Sequence, residues 1–254
     1  MLSSARDELI RLLALRRDVR RFRTEPLPLG AVERLVEAAC LGPSVGLSEP
    51  WRFVRVRCLR RRAAVAAEFE RCNDDEARRR DAAAAASAVT GDAAQSGAGE
   101  QPGVVAAGKP SKAAGRPDDA ADELMDAAAE AAAYRRLKLA GLREAPEQLA
   151  VLVDPTVDQG RGLGRATMPE TLEYSVVAAI QNLWLMARAE GIGVGWVSIV
   201  RPPEVVRILE LPSHWKLIAY LCLGYPQAAE EDTPELERAG WERRRDPGER
   251  LIER

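Results

Sequence analysis

The sequence predicts an α+β fold in which helices flank a mixed central sheet. Segments with helical periodicity are interspersed with short apolar strands, and no regular strand–helix–strand repeat runs through the chain. The 254 residues are 46% hydrophobic and 30% charged, which provides enough apolar side chain for a packed core. We therefore expect one domain over residues 1–254, with a low-complexity insertion at about residues 74–133.

The first part of the chain predicts three helices and one strand. Apolar residues at helical spacing indicate an opening helix over 9–15 that ends near the arginine pair at 16–17. A second helix is expected over 29–40, because the Gly-Pro pair at 42–43 is a stop signal. The alternation of apolar and basic residues predicts a strand at 51–57, and a further helix is expected at 61–72.

The composition changes between residues 74 and 133, where Ala, Gly, Asp and Arg predominate. The middle of this tract, from Thr90 to Pro117, has few large apolar side chains, and we expect it to be disordered. Its Ala-rich flanks, 76–88 and 120–133, are predicted to be helical.

Regular patterning returns at Tyr134. Pro169 in a first helical turn and Gly191 as a stop bound a long amphipathic helix. The remaining predicted elements are the end of a helix at 134–141, strands at 148–153, 194–200 and 217–223, a glycine-rich loop at 160–168, a helix at 203–210 and a polar, extended tail.

Charge and hydropathy argue against several classes of partner. The net charge is −2, so nothing in the overall balance calls for nucleic acid or an anionic membrane as a partner. No stretch approaches the roughly 20 apolar residues of a membrane span, and the first residues lack a targeting pattern. We expect a cytoplasmic protein.

Cysteine and histidine usage argues against metal centres and protein-based acid–base relays. The four cysteines are far apart, and Cys40, Cys58 and Cys222 lie in apolar stretches typical of small core residues, unlike Cys72. His214 is the sole histidine, and its turn-like surroundings predict a surface loop. We expect no metal site, and we expect the chemistry to belong to a bound cofactor.

Three segments can serve a bound phosphate and a flat ring, although each also has a plainer interpretation. RRDVRRF at 16–22 can bring guanidinium groups onto a phosphate, or form a solvated basic run. GPSVGLSEPWRF at 42–53 can form a rigid loop, or simply connect a helix to a strand. GIGVGWVS at 191–198 can lay bare backbone against a ring, or end a helix and begin a strand.

Together these segments resemble the FMN-dependent nitroreductase family. The segments GLGRATMPETLEYS (162–175) and DTPELERAGWERR (232–244) are similar to its flavin-fragmenting branch, the 5,6-dimethylbenzimidazole synthases. The resemblance implies a nitroreductase-like FMN-binding domain, a homodimer with an extended C-terminal arm, and FMN at the interface. It covers most of the chain outside 74–133, and that tract falls where the branch carries its flavin-covering lid.

The resemblance also implies residue roles. Asp18 and Ser175 match the two catalytic residues of the branch, and both also belong to the predicted cofactor-binding set. The other members of that set are Arg16, Arg17, Val19, Arg20, Ser44, Gly193, Gly195 and Arg244. Asp18 among arginines should stay ionised and can accept a proton, and a serine hydroxyl can both donate and accept. Without the family match, Asp18 could form a loop salt bridge and Ser175 could bond its own helix backbone.

The implied function is oxygen-dependent fragmentation of reduced FMN to 5,6-dimethylbenzimidazole, the lower ligand of cobalamin. FMN is then the substrate, and a separate flavin reductase supplies it reduced. Two alternatives remain open at this point: an NAD(P)H-dependent nitroreductase or flavin reductase, and a flavin-binding protein without turnover. The chain departs from the family pattern at Glu49, where glutamine is usual, and at Arg161, where histidine is frequent.

Overall fold

The structure is a computed structural model that describes residues 2–93, 141–227, 233, 235–238, 240 and 242–252. The chain divides into two compact units, residues 1–72 with 139–254, and residues 73–138. In the second unit the described backbone is helical from 73 to 93. The rest of the predicted insertion, including most of the tract expected to be disordered and the helix expected at 120–133, lies outside the described residues.

Helices and strands intermix along the chain as the sequence predicts. The helices are α1 Leu2–Leu15, α2 Ala31–Cys40, α3 Leu59–Ala93, α4 Gly141–Glu144, α5 Thr171–Ala189, α6 Pro202–Ile208 and α7 Glu235–Arg238. The strands are β1 Trp51–Arg55, β2 Glu147–Val153, β3 Gly193–Val197 and β4 Lys216–Gly224, with 3₁₀ turns at Val45–Leu47 and Pro247–Arg250.

The four strands form one sheet in the order β1-β2-β4-β3. All three strand pairs are antiparallel, with Trp51 opposite Val153 and Gly195 opposite Cys222. The segment after α1 extends this sheet beyond β3 through an isolated parallel bridge between Asp18 and Val194. In the part of the chain that the structure describes, this bridge is the one parallel pairing that makes the sheet mixed, and it places the arginine-rich segment beside β3.

Helix α5 covers one face of the sheet because its apolar residues recur every three or four positions. The buried stripe consists of Leu172, Val176, Ala179, Ile180, Leu183 and Ala187. Helix α2 packs on α5 through Val32, Leu35 and Ala39, and all of these residues share one core cluster. Gly191 has a φ of 71° and ends the helix, as the sequence predicts.

The opposite face of the sheet has its own core, built around Phe22, Phe69 and Tyr220. The buried Tyr220 hydroxyl donates to Oε1 of Gln148 at 2.7 Å, and Nε2 of Gln148 donates to the carbonyl of Leu142 at 2.7 Å. These bonds satisfy polar groups that would otherwise be costly to bury. The two faces together hold the sheet rigidly beneath the predicted site.

Several sequence-based boundaries differ from the structure. Strand β3 ends at Val197 rather than at position 200, and α3 includes Thr90 to Ala93, the first four residues of the tract expected to be disordered. Residues 134–140 lie outside the described part of the chain, whereas 141–144 are helical.

The structure places the three cysteines and the histidine for which the sequence predicts a position. Cys222 is buried as expected, but Cys40 and Cys58 are exposed, so the prediction of three core cysteines was wrong for these two. Cys40 lies on the solvent side at the end of α2, and Cys58 precedes α3 in a connecting segment. His214 lies in a turn with half of its side chain exposed, which confirms the surface assignment. In the described ranges, no helix combines the length and apolarity that crossing a bilayer requires.

Candidate active site

The arginine-rich segment leaves α1 at Leu15 and lies against α5 and β3. The indole Nε1 of Trp184 donates to the backbone carbonyl of Arg17 at 3.1 Å. The guanidinium carbon of Arg16 lies 4.5 Å from the centroid of the same indole ring. One tryptophan therefore contacts two consecutive residues of the segment, one through its edge and the other through its face.

Asp18 is held by the neighbouring strand. The backbone N–H of Trp196 donates to Oδ1 of Asp18 at 2.8 Å, and Oδ2 lies 3.9 Å from Nε of Arg20. The Arg20 side chain is 14% exposed and that of Asp18 is 36% exposed, so the carboxylate is fixed in place yet open to solvent on part of its surface. A backbone donor and a neighbouring guanidinium both favour the ionised form.

Two glycines of β3 allow the segment to approach this closely. A Cβ on Gly195 would overlap the carbonyl oxygen of Val19, and one on Gly193 would lie 2.8 Å from Cγ2 of Val19. The N–H of Val19 donates to the carbonyl of Val194 at 2.9 Å, so the approach is part of the sheet. The side of Gly193 and Gly195 on which other residues would carry a side chain is therefore occupied by Val19 of the same chain.

Arg16 lies in a cationic environment. Burial lowers the pKa of the Arg16 guanidinium, the positive charge of Arg244 lowers it further, and Asp18 opposes both effects. Two guanidinium groups that repel each other at a half-buried position make a favourable site for an anion. We call Arg16, Asp18, Arg20, Trp196 and Arg244 the carboxylate cluster.

Arg17 contacts the end of helix α1. Its Nη1 donates to the backbone carbonyls of Ala14 and Arg16, the latter at 2.9 Å. A cation at the C-terminus of a helix interacts favourably with the helix dipole and with the last unsatisfied carbonyls. Arg17 thus caps α1 through Nη1, and its contact with FMN stays a prediction.

The loop between α2 and β1 carries the predicted Ser44. Its Oγ accepts from the backbone N–H of Glu49 at 3.2 Å. Leu47 and Glu49 have positive φ angles of 54° and 46°, a backbone conformation that residues with side chains seldom adopt. Gly46 also has a positive φ, at 57°. Nε2 of Gln159, which immediately precedes the glycine-rich loop, donates to the carbonyl of Leu47 at 2.7 Å and supports this strained turn.

Ser175 ties helix α5 to the same loop. Its hydroxyl donates to the carbonyl of Thr171 at 2.6 Å and accepts from the backbone N–H of Val45 at 3.0 Å. The side chain is buried, and its bond to its own helix is the plainer alternative that the sequence left open. The bond from Val45 is an additional contact between distant parts of the chain. We call Ser44, Val45 and Ser175 the serine cluster.

The two clusters lie at different positions along α5. Trp184 contacts the Arg17 carbonyl, and Ser175 precedes Trp184 by nine residues. This separation corresponds to roughly 13 Å of helix axis at 1.5 Å per residue. Ser175 and the indole that contacts the Arg17 carbonyl therefore lie about two and a half turns apart along α5.

The sequence did not identify Trp184 or Trp196 as site residues. Trp184 occupies an apolar position of the predicted amphipathic helix, and such positions are typical of core side chains. Trp196 contributes through its backbone N–H, which any residue except proline could supply. One sequence signal could have indicated a role for Trp184: an indole offers both an N–H donor and a ring face, and the chain carries an arginine-rich segment that can use both.

Comparison with known proteins identifies the family. Residues 13–225 match the nitroreductase family. The chain belongs to this family. It is 46% identical over 242 residues to a 5,6-dimethylbenzimidazole synthase of Rhodospirillum rubrum. The aligned residues cover 95% of this chain and 92% of that relative. A 5,6-dimethylbenzimidazole synthase of Rhodobacter capsulatus is 38% identical over 237 residues, covering 93% of this chain and 92% of the relative.

Solved structures confirm the nitroreductase-like fold. An iodotyrosine deiodinase bound to FMN and 3-iodo-L-tyrosine superposes with a TM-score of 0.57 and 21% identity, covering 89% of this chain and 94% of that one. A nitroreductase-like family protein from Bacillus cereus superposes with a TM-score of 0.54 and 16% identity, covering 96% of this chain and 94% of that one. At these identities the likeness establishes the architecture alone.

Proposed function

We propose that this chain is a 5,6-dimethylbenzimidazole synthase, which fragments reduced FMN with O2 to make the lower ligand of cobalamin. The observation that carries the proposal is the 46% identity, over 95% of the chain, to a relative of that name. The carboxylate cluster supports it, because Asp18 is a fixed carboxylate beside a cationic anion site.

The residues of the carboxylate cluster fit FMN. Arg16 and Arg244 would hold the phosphate, since a dianion would offset both the burial that chiefly lowers the pKa of Arg16 and the repulsion from Arg244. Arg20, which the family resemblance assigns to the phosphate and ribityl chain, lies 3.9 Å from Asp18 through Nε and would orient the carboxylate. When bound, reduced FMN supplies both the electrons that reduce O2 and the carbon atoms of the product.

Asp18 acts as a proton acceptor in this proposal. The hydrogen bond from Trp196 fixes Oδ1 and so orients the carboxylate, which would accept a proton from carbon or hydroxyl groups of the substrate. The neighbouring guanidinium of Arg20 places a positive charge 3.9 Å from Oδ2 of the carboxylate. The partly exposed side chain allows the substrate to reach it.

Ser175 plays a more limited chemical part than a freely rotating hydroxyl would. Its proton is committed to the carbonyl of Thr171, and one lone pair accepts from Val45. A hydroxyl has two acceptor lone pairs, so Ser175 can accept one further hydrogen bond from a substrate group. It also holds the backbone of the loop that carries Ser44.

The two halves of the site come together in a homodimer. Relatives with this fold are commonly dimers, and we infer that a second copy brings its serine cluster to the carboxylate cluster of the first. Apolar side chains are exposed around that cluster, namely Leu47 at 69%, Leu163 at 70%, Tyr174 at 57% and Val177 at 43%. Contiguous exposed apolar residues of this kind mark an interaction surface.

The proposal is tested by following the product. The purified protein is mixed anaerobically with chemically reduced FMN, exposed to air, and analysed by mass spectrometry. We expect 5,6-dimethylbenzimidazole to appear without NAD(P)H, because the electrons arrive with the flavin from a separate reductase. Steady NADPH oxidation by the FMN-loaded protein without benzimidazole would favour a flavin reductase. Tight FMN binding with neither activity would favour a binding protein.

A further inference from the structure

We propose that Trp184 is a positioning residue that sets the guanidinium of Arg16 for the flavin phosphate. The inference rests on the proposed function, because it concerns how the same site recognises a phosphate monoester. It assigns a site role to a side chain on α5 that lies in the apolar core and does not belong to either cluster.

The indole of Trp184 contacts the arginine-rich segment through both its edge and its ring face. Its Nε1 donates to the carbonyl of Arg17, which fixes the backbone immediately after Arg16. Its ring face lies 4.5 Å from the Arg16 guanidinium carbon. Trp184 is 8% exposed and sits on a well-packed helix, so the ring is a rigid support.

Arg16 needs such a support because its surroundings disfavour a charged guanidinium at this position. Burial and the positive charge of Arg244 both act against the charged guanidinium, as the lowered pKa of Arg16 shows. An arginine side chain has many rotamers, and without a partner it would turn away from another cation toward water. The electron-rich ring face attracts the guanidinium and holds it at the anion site before the phosphate arrives.

The same indole connects the anion site to the carboxylate. The ring centroids of Trp184 and Trp196 are 6.2 Å apart with the planes tilted by 39°. The backbone N–H of Trp196 in turn holds Asp18. Phenylalanine at position 184 would retain a ring face but lose the N–H donor, and leucine would lose both, so the two substitutions separate the two functions.

The experiment compares FMN with riboflavin, which has the same ring and ribityl chain but no phosphate. Dissociation constants are measured from quenching of flavin fluorescence for the full-length protein and for Trp184→Phe, Trp184→Leu and Arg16→Ala. We expect Trp184→Leu to weaken FMN binding by roughly 3- to 30-fold, as loss of a cation–π contact implies, with riboflavin binding unchanged. Trp184→Phe should weaken it by less. Trp215→Phe is the matched control and should alter neither ligand, because Trp215 lies outside both clusters.

A double-mutant cycle isolates the coupling between the two residues. If Trp184 acts through Arg16, the Arg16→Ala, Trp184→Leu double variant binds FMN no more weakly than Arg16→Ala alone. Multiplicative losses, or an equal loss of riboflavin binding, would overturn the inference in favour of general packing. Should Trp184→Leu fail to fold, the cycle is run with Trp184→Phe, and the same two outcomes decide.

The outcomes separate this inference from the proposed function. The proposed function is overturned if the parent protein binds FMN more tightly than riboflavin but forms no benzimidazole. In that case the double-mutant cycle still decides the role of Trp184. A parent protein that binds both flavins equally overturns the inference even if it makes the product.

Discussion

Oδ1 of Asp18 accepts a 2.8 Å hydrogen bond from the backbone N–H of Trp196, 178 residues later in the chain. The bond exists because a parallel bridge between Asp18 and Val194 sets the register of the arginine-rich segment against β3. The placement of the carboxylate is therefore a property of the sheet. Disturbing that register should move Asp18 without changing it chemically.

The glycine at position 195 provides the sharpest test of this register. Gly195→Ala should lower the free energy of unfolding by roughly 1–3 kcal/mol, as overpacking does, because the new methyl group overlaps the Val19 carbonyl. Flavin binding should fall as well, since Asp18 and Arg16 shift with Val19. Gly248→Ala is the control, because its Cβ would lie 3.5 Å from Asp246 in ordinary contact. Equal urea-unfolding curves for the two variants would contradict the proposed tight approach.

Ser175 and Ser48 form a matched pair of buried hydroxyls. Ser175→Ala removes the acceptor of the Val45 N–H and should cost roughly 1–3 kcal/mol of stability. Ser48 is fully buried, and its Oγ has no hydrogen-bond partner in the described ranges, so Ser48→Ala should be neutral or slightly stabilising. Thermal unfolding measures both effects. We further expect folded Ser175→Ala to bind FMN but make little benzimidazole, and a parental product yield would show that its role is structural only.

Glu68 predicts a pH dependence of stability. Hydrogen bonds from Arg201 lower its pKa from the ordinary 4.5 to about 2, although burial opposes them, and further bonds from Arg71 and Cys72 assist. On acidification the unfolded chain takes up this proton first, so the stabilisation is present above about pH 5 and is lost as the pH falls toward 2.

The corresponding variant is Glu68→Gln. Urea unfolding should show it less stable than the parent by roughly 1.5–3 kcal/mol near pH 7, the contribution typical of hydrogen bonds to a charged group. The difference should shrink steadily between about pH 5 and pH 2. Glu8→Gln, which removes an exposed ion pair with Arg11, should be nearly neutral throughout. A stability difference that stays constant down to about pH 2 would exclude an ionised Glu68 as its source.

The composite site can be tested by mixing inactive chains. Differently tagged Asp18→Asn and Ser175→Ala chains are co-expressed, and the mixed dimer is isolated through both tags. If each site combines Asp18 of one copy with Ser175 of the other, one of the two sites in the mixed dimer is intact. We expect about half of the parental yield of benzimidazole, whereas a site built within one chain would leave both sites defective and give no recovery.

The sequence predicts the elements whose signals are local. Helix α5 is predicted from its periodicity and its stop at Gly191, and β2 and β4 from short apolar runs. Contacts set by tertiary register could not be predicted in the same way. The Trp196 donor to Asp18 depends on which residues pair across the sheet, and the turn of Arg17 onto α1 depends on helix-end carbonyls. Cys40 and Cys58 have apolar neighbours in sequence but lie on exposed surface, so local composition misplaced them.

The role of Asp18 as proton acceptor is tested most directly by Asp18→Asn. Asparagine can still accept the Trp196 N–H through its amide oxygen but cannot accept a proton at neutral pH, so binding and chemistry separate. Parent and variant are each given reduced FMN and then air, and benzimidazole is quantified beside the FMN dissociation constant. We expect near-parental FMN affinity with at least a roughly 100-fold loss of product, in line with loss of a general base. A variant that yields as much benzimidazole as the parent would contradict the role given to Asp18.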